Sequence, residues 1–109
     1  MSSLSTHVLD TTHGCPAEGV AVTLSAAGAA LYTGTTDADG RCRDLPSLPP
    51  GVYRLEFAVA AYFRARGVLL TDPPFIDAVP IEFGVAEGDG HYHVPLLVSP
   101  FGYSTYRGS

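Results

Sequence analysis

Hydrophobic and polar residues alternate along much of this chain. Large apolar side chains take every second position from Val52 to Val59 and from Val79 to Val85, with polar or small residues between them. The segments Val20–Ala26 and His91–Val98 alternate in the same way. A period of two is typical of strands that bury one face, so the pattern predicts about seven or eight short strands.

The segments between these strands carry turn signals. The sequences DADG at residues 37–40 and EGDG at 87–90 combine carboxylate acceptors with glycine, and both predict loops that are hairpins or nearly so. Only the alanine-rich segment Ala58–Arg66 lacks the two-residue period, and it predicts one short helix. The total favours an all-β fold, an antiparallel β-sandwich in the size class of an immunoglobulin domain.

The last predicted strands carry unusual residues. Alternation from His91 to Val98 directs Tyr92, Val94, Leu96 and Val98 toward the core and His91, His93, Pro95 and Leu97 toward the other face. Proline cannot donate to a ladder, so an edge or bulge is expected near Pro95. A final strand, Tyr103–Arg107, leaves a free edge that predicts pairing with another subunit.

Length and charge narrow the class of protein. The 109 residues are 46% hydrophobic and 16% charged, which predicts one domain spanning residues 1–109. The formal net charge is −5 and there is no lysine, so nucleic acid and anionic membranes are not expected partners. No signal peptide or membrane helix is evident, which predicts a cytoplasmic protein. The two cysteines, Cys15 and Cys42, are expected to be free thiols.

With no lysine, base chemistry near neutral pH depends on histidine, a carboxylate or a perturbed cysteine. His13 lies in a turn-like segment and is interpreted as solvated, and His7 alone indicates no more than a surface strand histidine. The H-x-H spacing of His91 and His93 would suit two ligands of a zinc ion, with His7 as a third. A pair of solvated or hydrogen-bonded strand histidines is the favoured alternative.

The closing residues 104–109, STYRGS, would ordinarily form a disordered tail. They follow a predicted strand with no polar spacer and combine Ser, Tyr and Arg. The composition therefore hints that the tail lines a site by hydrogen bonding.

Four segments together resemble one known family. LSTHVLD, DADGRC, HYHVPLLVSP and the closing YSTYRGS look like the transthyretin-like family, and in particular its 5-hydroxyisourate hydrolase branch. The resemblance spans nearly the whole chain and is weakest over residues 58–77. It implies a transthyretin-type sandwich and a homotetramer, a dimer of dimers with active sites in a channel at the dimer–dimer interface.

The resemblance also implies an activity. The branch hydrolyses 5-hydroxyisourate, the unstable product of urate oxidation, to 2-oxo-4-hydroxy-4-carboxy-5-ureidoimidazoline, with no metal and no organic cofactor. The chain is therefore expected to be a cyclic amidase of purine catabolism. The main alternative is a non-catalytic small-molecule binding module, because transthyretin uses this fold to bind. Carriers of that kind replace the histidine and arginine residues and lack the YRGS ending, both of which this sequence retains.

The family's functional residues match His7, Arg41 and His93 in this chain. The two histidines are expected to activate water and protonate the leaving nitrogen, in either order, and Arg41 to stabilise charge on the carbonyl oxygen. Arg43, two residues further on, is an alternative for the anion-binding role.

The C-terminal motif supplies two more candidates. Ser109 matches the terminal serine of YRGS and is placed with the catalytic residues. Ser109 and Tyr106 are expected to bind and orient the substrate through hydrogen bonds.

Overall fold

A computed structural model describes residues 1–109 and contains eight strands and one helix. In chain order the elements are β1 (Ser3–Asp10), β2 (Cys15–Pro16), β3 (Ala21–Ala26), β4 (Ala29–Thr35), β5 (Gly51–Ala58), α1 (Val59–Ala65), β6 (Ala78–Val85), β7 (His91–Ser99) and β8 (Gly102–Thr105). The predicted strand number and the single short helix are confirmed. α1 has only seven residues. The chain has no helix that is long and apolar enough to cross a bilayer.

The strands form two four-stranded sheets, ordered β2-β1-β7-β8 and β4-β3-β5-β6. Every neighbouring pair is antiparallel, as predicted, except β1 and β7, which run parallel with Ser5 opposite His93. Parallel neighbours need a long crossover connection, and here the whole chain between residues 11 and 90 supplies it. The two ends of the sequence are thereby joined in the centre of one sheet.

The predicted alternation positions the core between the sheets. In β5 the fully or nearly buried side chains are Tyr53, Leu55 and Phe57, while the arginine and glutamate between them are exposed. β6 follows the same rule. In β7 Val94 and Leu96 are buried as predicted, but Pro95, predicted on the other face, is buried as well. α1 covers one end of the sandwich with Tyr62 and Phe63. Burial of these apolar side chains is the main stabilising contribution to the sandwich.

Two local expectations are wrong. β7 is an inner strand, so Pro95 does not mark a sheet edge; the ladder to β8 stops at Leu96 instead, which spares the missing N–H of the proline. β8 is shorter than expected and ends at Thr105, with one further bridge between His93 and Gly108. The strand therefore continues only as a tail that returns to β7.

The two glycine-rich turns are not hairpins. Residues 37–40 lie in the connection from β4 to β5, which are not neighbours in their sheet, and residues 87–90 connect β6 in one sheet to β7 in the other. Turn chemistry indicates where the chain reverses, but only strand order decides whether the reversal closes a hairpin. Cys15 and Cys42 are both unpaired, as expected.

Candidate active site

His7 and His93 lie on the same face of the first sheet, the side turned away from the second sheet and called here the outer face. On β1 the residues flanking His7, Thr6 and Val8, are buried, so alternation directs His7 outward and leaves it half-buried. His7 is opposite Pro95 on β7, and His93 is two residues earlier on that strand. The parallel register therefore makes the two histidines diagonal neighbours on the outer face.

A turn from the long β4–β5 connection brings Arg41 beside β1. The carboxylate of Asp37 accepts hydrogen bonds from the backbone N–H groups of Asp39, at 2.9 Å, and Arg41, at 3.1 Å. The bond from the Arg41 N–H is the main reason why the pKa of Asp37 is lowered, and Arg43 adds to it. The ionised carboxylate thus holds the turn in shape.

Gly40 allows this turn to approach the sheet. Its carbonyl accepts a hydrogen bond of 2.8 Å from the Val8 N–H, and the backbone of Arg41 forms an isolated antiparallel β-bridge with that of His7. Gly40 has a φ of 75°, and a Cβ there would lie 2.5 Å from the Val8 carbonyl oxygen. Only glycine allows both the positive φ and this close approach without strain. The DGR sequence therefore places Arg41 next to His7.

The two arginines of this turn differ in their partners. Arg43 donates from Nε to Asp37 Oδ2 at 3.2 Å. The Arg41 guanidinium makes no ion pair and no side-chain hydrogen bond within the chain. A permanently charged group with free planar donors beside two imidazoles is suited to bind an oxygen-rich anion or a developing oxyanion.

His93 is kept neutral by its surroundings. Burial of the ring, the positive charge of Arg41 and the nearby His91 and His7 hold the pKa of His93 below the ordinary value of 6.5. Its Nδ1 is 2.7 Å from the hydroxyl oxygen of Ser5. The remaining ring nitrogen, Nε2, has no partner within the chain and is free to exchange a proton with a bound molecule.

The C-terminal tail packs directly on His93. The N–H of Gly108 donates to the His93 carbonyl at 2.8 Å, and a Cβ at Gly108 would overlap the imidazole carbon Cδ2. The tail is further held by Arg107, whose guanidinium lies 4.1 Å from the ring centroid of Tyr92 and donates to the His91 carbonyl at 3.3 Å. Ser109 follows directly after this glycine in the chain.

Tyr106 lies elsewhere in the single chain. Its side chain is exposed and lines a groove of about 400 Å³ between β6 and the β7–β8 edge, together with Tyr92 and Arg107. His7, Arg41 and His93 do not line that groove. The structure thus brings His7, Arg41, His93 and the backbone before Ser109 together, and sets Tyr106 apart from them.

The H-x-H pair does not form part of a metal cluster in this chain. His91 binds Ser3 and Ser5 through its two ring nitrogens, and His93 binds Ser5. The chain has no group of three or more histidine, cysteine, aspartate or glutamate side chains placed to hold a metal ion. The favoured sequence interpretation, a pair of hydrogen-bonded strand histidines, describes what is observed.

Sequence reasoning missed the supporting residues Ser5, Gly40 and Gly108. The alternating pattern does place Ser5 on the outer face with His7, but nothing local shows that its hydroxyl meets two histidines from the other end of the chain. The two glycines are visible in the motifs. Their function, close approach to β1 and to the His93 ring, becomes evident only when the neighbouring element is known.

A second polar cluster, at the end of β1, was also missed. Asp10 is fully buried and accepts hydrogen bonds from Tyr62 Oη at 2.7 Å and from the backbone N–H groups of Thr12 and His13. His13 is an exposed loop histidine, as expected, and it also pairs with Asp10 through Nδ1 and stacks on Phe63.

The chain is similar to known proteins over its whole length. The model of the HIUase/Transthyretin family matches residues 4–108. A 5-hydroxyisourate hydrolase of Pseudomonas aeruginosa is 50% identical, over all of this chain and 93% of its own length. The solved 5-hydroxyisourate hydrolase of Klebsiella pneumoniae superposes with a TM-score of 0.87 at 40% identity, covering all of this chain and 94% of that one.

A transthyretin shares the fold as well. The transthyretin of Sparus aurata superposes with a TM-score of 0.85 at 37% identity, over 96% of this chain and 95% of that chain. On the full-length family match and the identity to its relatives, the chain belongs to the HIUase/Transthyretin family.

Proposed function

We propose that this protein hydrolyses 5-hydroxyisourate to 2-oxo-4-hydroxy-4-carboxy-5-ureidoimidazoline. The observation that carries the proposal is the meeting of His7, the unpaired Arg41 guanidinium and the neutral His93 on one face of the first sheet. The names of similar bacterial relatives, 5-hydroxyisourate hydrolases, point to the same substrate. The activity would place the chain among the cyclic amidases of urate breakdown.

The proposed chemistry begins with water. Opening a cyclic amide requires a water oxygen to attack the ring carbonyl carbon while a base removes one of its protons. A histidine whose pKa lies below 6.5 is unprotonated at neutral pH, so His93 is suited to this task. The C–N bond then breaks, and the leaving nitrogen receives a proton, a task assigned to His7 as the second histidine of the site. The water supplies the new carboxyl oxygen and gives one proton to His93, and transfer of a proton from His93 to His7 afterwards restores both histidines.

Arg41 is proposed to stabilise the charge that develops on the carbonyl oxygen. The guanidinium stays protonated at all relevant pH values and has no carboxylate partner in the chain to weaken its field. The chain as a whole is acidic, with a net charge of −5, so the positive potential beside His7 is local to the site. This contrast favours a small oxygen-rich substrate at the outer face.

Ser109 is proposed to bind and orient the substrate, since Gly108 brings it to His93. Tyr106 keeps its proposed substrate-binding role only if a neighbouring subunit completes the site, because it is separated from His7 and His93 within one chain. We accordingly propose a homotetramer, a dimer of dimers, in which outer faces meet to form the channel.

The test follows the decay of 5-hydroxyisourate generated freshly from urate by urate oxidase, with and without the purified protein. Absorbance reports the decay, and circular dichroism reports whether the product is optically active. Decay faster than the spontaneous rate, with an optically active product, supports the hydrolase.

A binding module of the transthyretin type is the alternative, favoured by the close superposition with the Sparus aurata carrier. Decay at the spontaneous rate from a folded protein would support that alternative.

A further inference from the structure

A continuous chain of hydrogen bonds runs across β1 and β7 on the outer face and ends at His93. Ser3 Oγ is 2.6 Å from His91 Nδ1, and His91 Nε2 is 2.9 Å from Ser5 Oγ. Ser5 Oγ is in turn 2.7 Å from His93 Nδ1. The parallel register, with Ser3 opposite His91 and Ser5 opposite His93, repeats the same serine–histidine pair twice.

One direction of donation along this chain begins at its far end. Ser3 Oγ also lies 3.4 Å from the Gly90 carbonyl oxygen, and a carbonyl can only accept a hydrogen bond. When the Ser3 hydroxyl donates to Gly90, its oxygen is left to accept from His91 Nδ1–H. A neutral imidazole protonated at Nδ1 has a lone pair at Nε2, which accepts from the Ser5 hydroxyl.

The same step repeats at the next histidine. Since the Ser5 hydroxyl donates to His91, its oxygen accepts from His93 Nδ1–H. In this direction His93 is neutral, with its proton on Nδ1 and its lone pair on Nε2, the nitrogen with no partner in the chain. The opposite direction pairs the same ring nitrogens and loses only the 3.4 Å contact with the Gly90 carbonyl, which also accepts the Ser3 N–H at 2.9 Å.

We propose that Ser5 is a positioning residue, which together with His91 and Ser3 holds His93 as the Nδ1–H tautomer with Nε2 as the proton acceptor. The catalytic role of this arrangement rests on the proposed hydrolysis. In that reaction His93 is the base, and the proton-donor role is left to His7. Ser5 itself does not touch the reacting atoms. Its contribution is to keep the ring in the one protonation pattern that can accept a proton from water.

The decisive measurement is the tautomer of His93, observed by long-range ¹H–¹⁵N NMR on histidine-labelled protein at about pH 8, with the signal assigned by loss in His93→Gln. We expect the proton on Nδ1 in the wild type. In Ser5→Ala we expect the signal to move toward the Nε2–H tautomer, and kcat to fall about tenfold with little change in KM, as for the loss of one hydrogen bond to a reacting group.

Conservative and matched variants separate positioning from a general structural role. Ser5→Thr keeps the hydroxyl on a strand and should retain the wild-type tautomer and kcat. His91→Ala breaks the chain one step further away and should lower kcat about threefold. Ser25→Ala removes a half-buried strand hydroxyl from the other sheet, which makes no hydrogen bond, and should change neither readout.

A wild-type His93 that carries its proton on Nε2 would overturn the inference. So would a Ser5→Ala protein whose tautomer is unchanged, whatever its kcat. Failure of the proposed function is distinguishable: wild-type protein that leaves 5-hydroxyisourate to decay spontaneously refutes the hydrolase, while a Ser5-dependent Nδ1–H tautomer still supports the hydrogen-bond chain.

Discussion

Strand β1 carries two clusters of polar and titratable residues, and they are built in opposite ways. At the end of the strand, the buried carboxylate of Asp10 has every acceptor position used, by Tyr62, by His13 and by two backbone N–H groups. Three residues earlier, His7 stands beside Arg41, whose guanidinium has no partner within the chain.

The pKa values follow the same division. Burial raises the pKa of the Asp10 carboxyl, but hydrogen bonds from Tyr62 and His13 outweigh burial and the net pKa is lowered. Burial and the hydrogen bond to Asp10 raise the pKa of Tyr62 to about 12. Asp10 and Tyr62 thus each keep one charge state over the neutral range, while the pKa of His93 is lowered from 6.5. Saturated hydrogen bonding marks a structural cluster, and unsatisfied donors beside a neutral base mark a reactive one.

The largest effect is expected from removing the unpaired groups. Arg41→Ala or His93→Ala should each lower kcat/KM for 5-hydroxyisourate by at least about a hundredfold, roughly 2.7 kcal/mol of transition-state stabilisation. Thermal unfolding should be nearly unchanged because neither side chain is part of the core. Arg43→Ala is the matched control and should keep most of the activity, since Arg43 is occupied by Asp37. A fully active, folded Arg41→Ala protein would remove that residue from the mechanism.

The opposite result is expected in the saturated cluster. Tyr62→Phe keeps the packing but leaves one oxygen of a buried carboxylate without its hydroxyl donor, so the free energy of unfolding should fall by about 2 kcal/mol. The folded variant should retain its kcat. Because the folded pKa of Asp10 is lowered, its stabilisation is present at neutral pH and is lost as pH falls through about 4 and below. Denaturant titrations at pH 7 and pH 3 should therefore show a smaller difference between variant and wild type in acid.

Gly108→Ala probes the contact between the tail and the reactive cluster. The added Cβ meets the His93 ring, so either the ring or the tail must move, and kcat/KM should fall about tenfold. Gly102→Ala, where a Cβ would meet nothing within 4 Å, is the control on the same part of the chain. Equal activity in the two variants would show that the tail does not need its close approach to His93.

The smallest expected effect is a shift in titration. Since the Arg41 charge is among the causes that lower the pKa of His93, Arg41→Gln should raise that pKa, as measured by NMR titration. Arg43→Gln should not move it. In the wild type, kcat/KM should fall on the acid side as His93 is protonated, with a midpoint below 6.5. A flat profile from pH 5 to 8 would argue against a neutral histidine as the base.

The sequence by itself determined the strands and the chemistry of the candidate residues. The alternation over β5, β6 and β7 is a local property, because successive side chains in a strand point to opposite faces of the sheet. It identified the core of the sandwich and the outward direction of His7 and His93. Family motifs then named Arg41 and the tail, with Ser109, as their companions.

Only the tertiary structure decided how these parts meet. The hydrogen bond between Ser5 and His93 joins residues 88 positions apart, and Arg41 reaches His7 from a connection between strands of the other sheet. The same long-range placement separated Tyr106 from the histidines and buried Asp10 against Tyr62. Such contacts depend on strand order and register, which are set by the packing of the whole core, and no local pattern of residues carries that information.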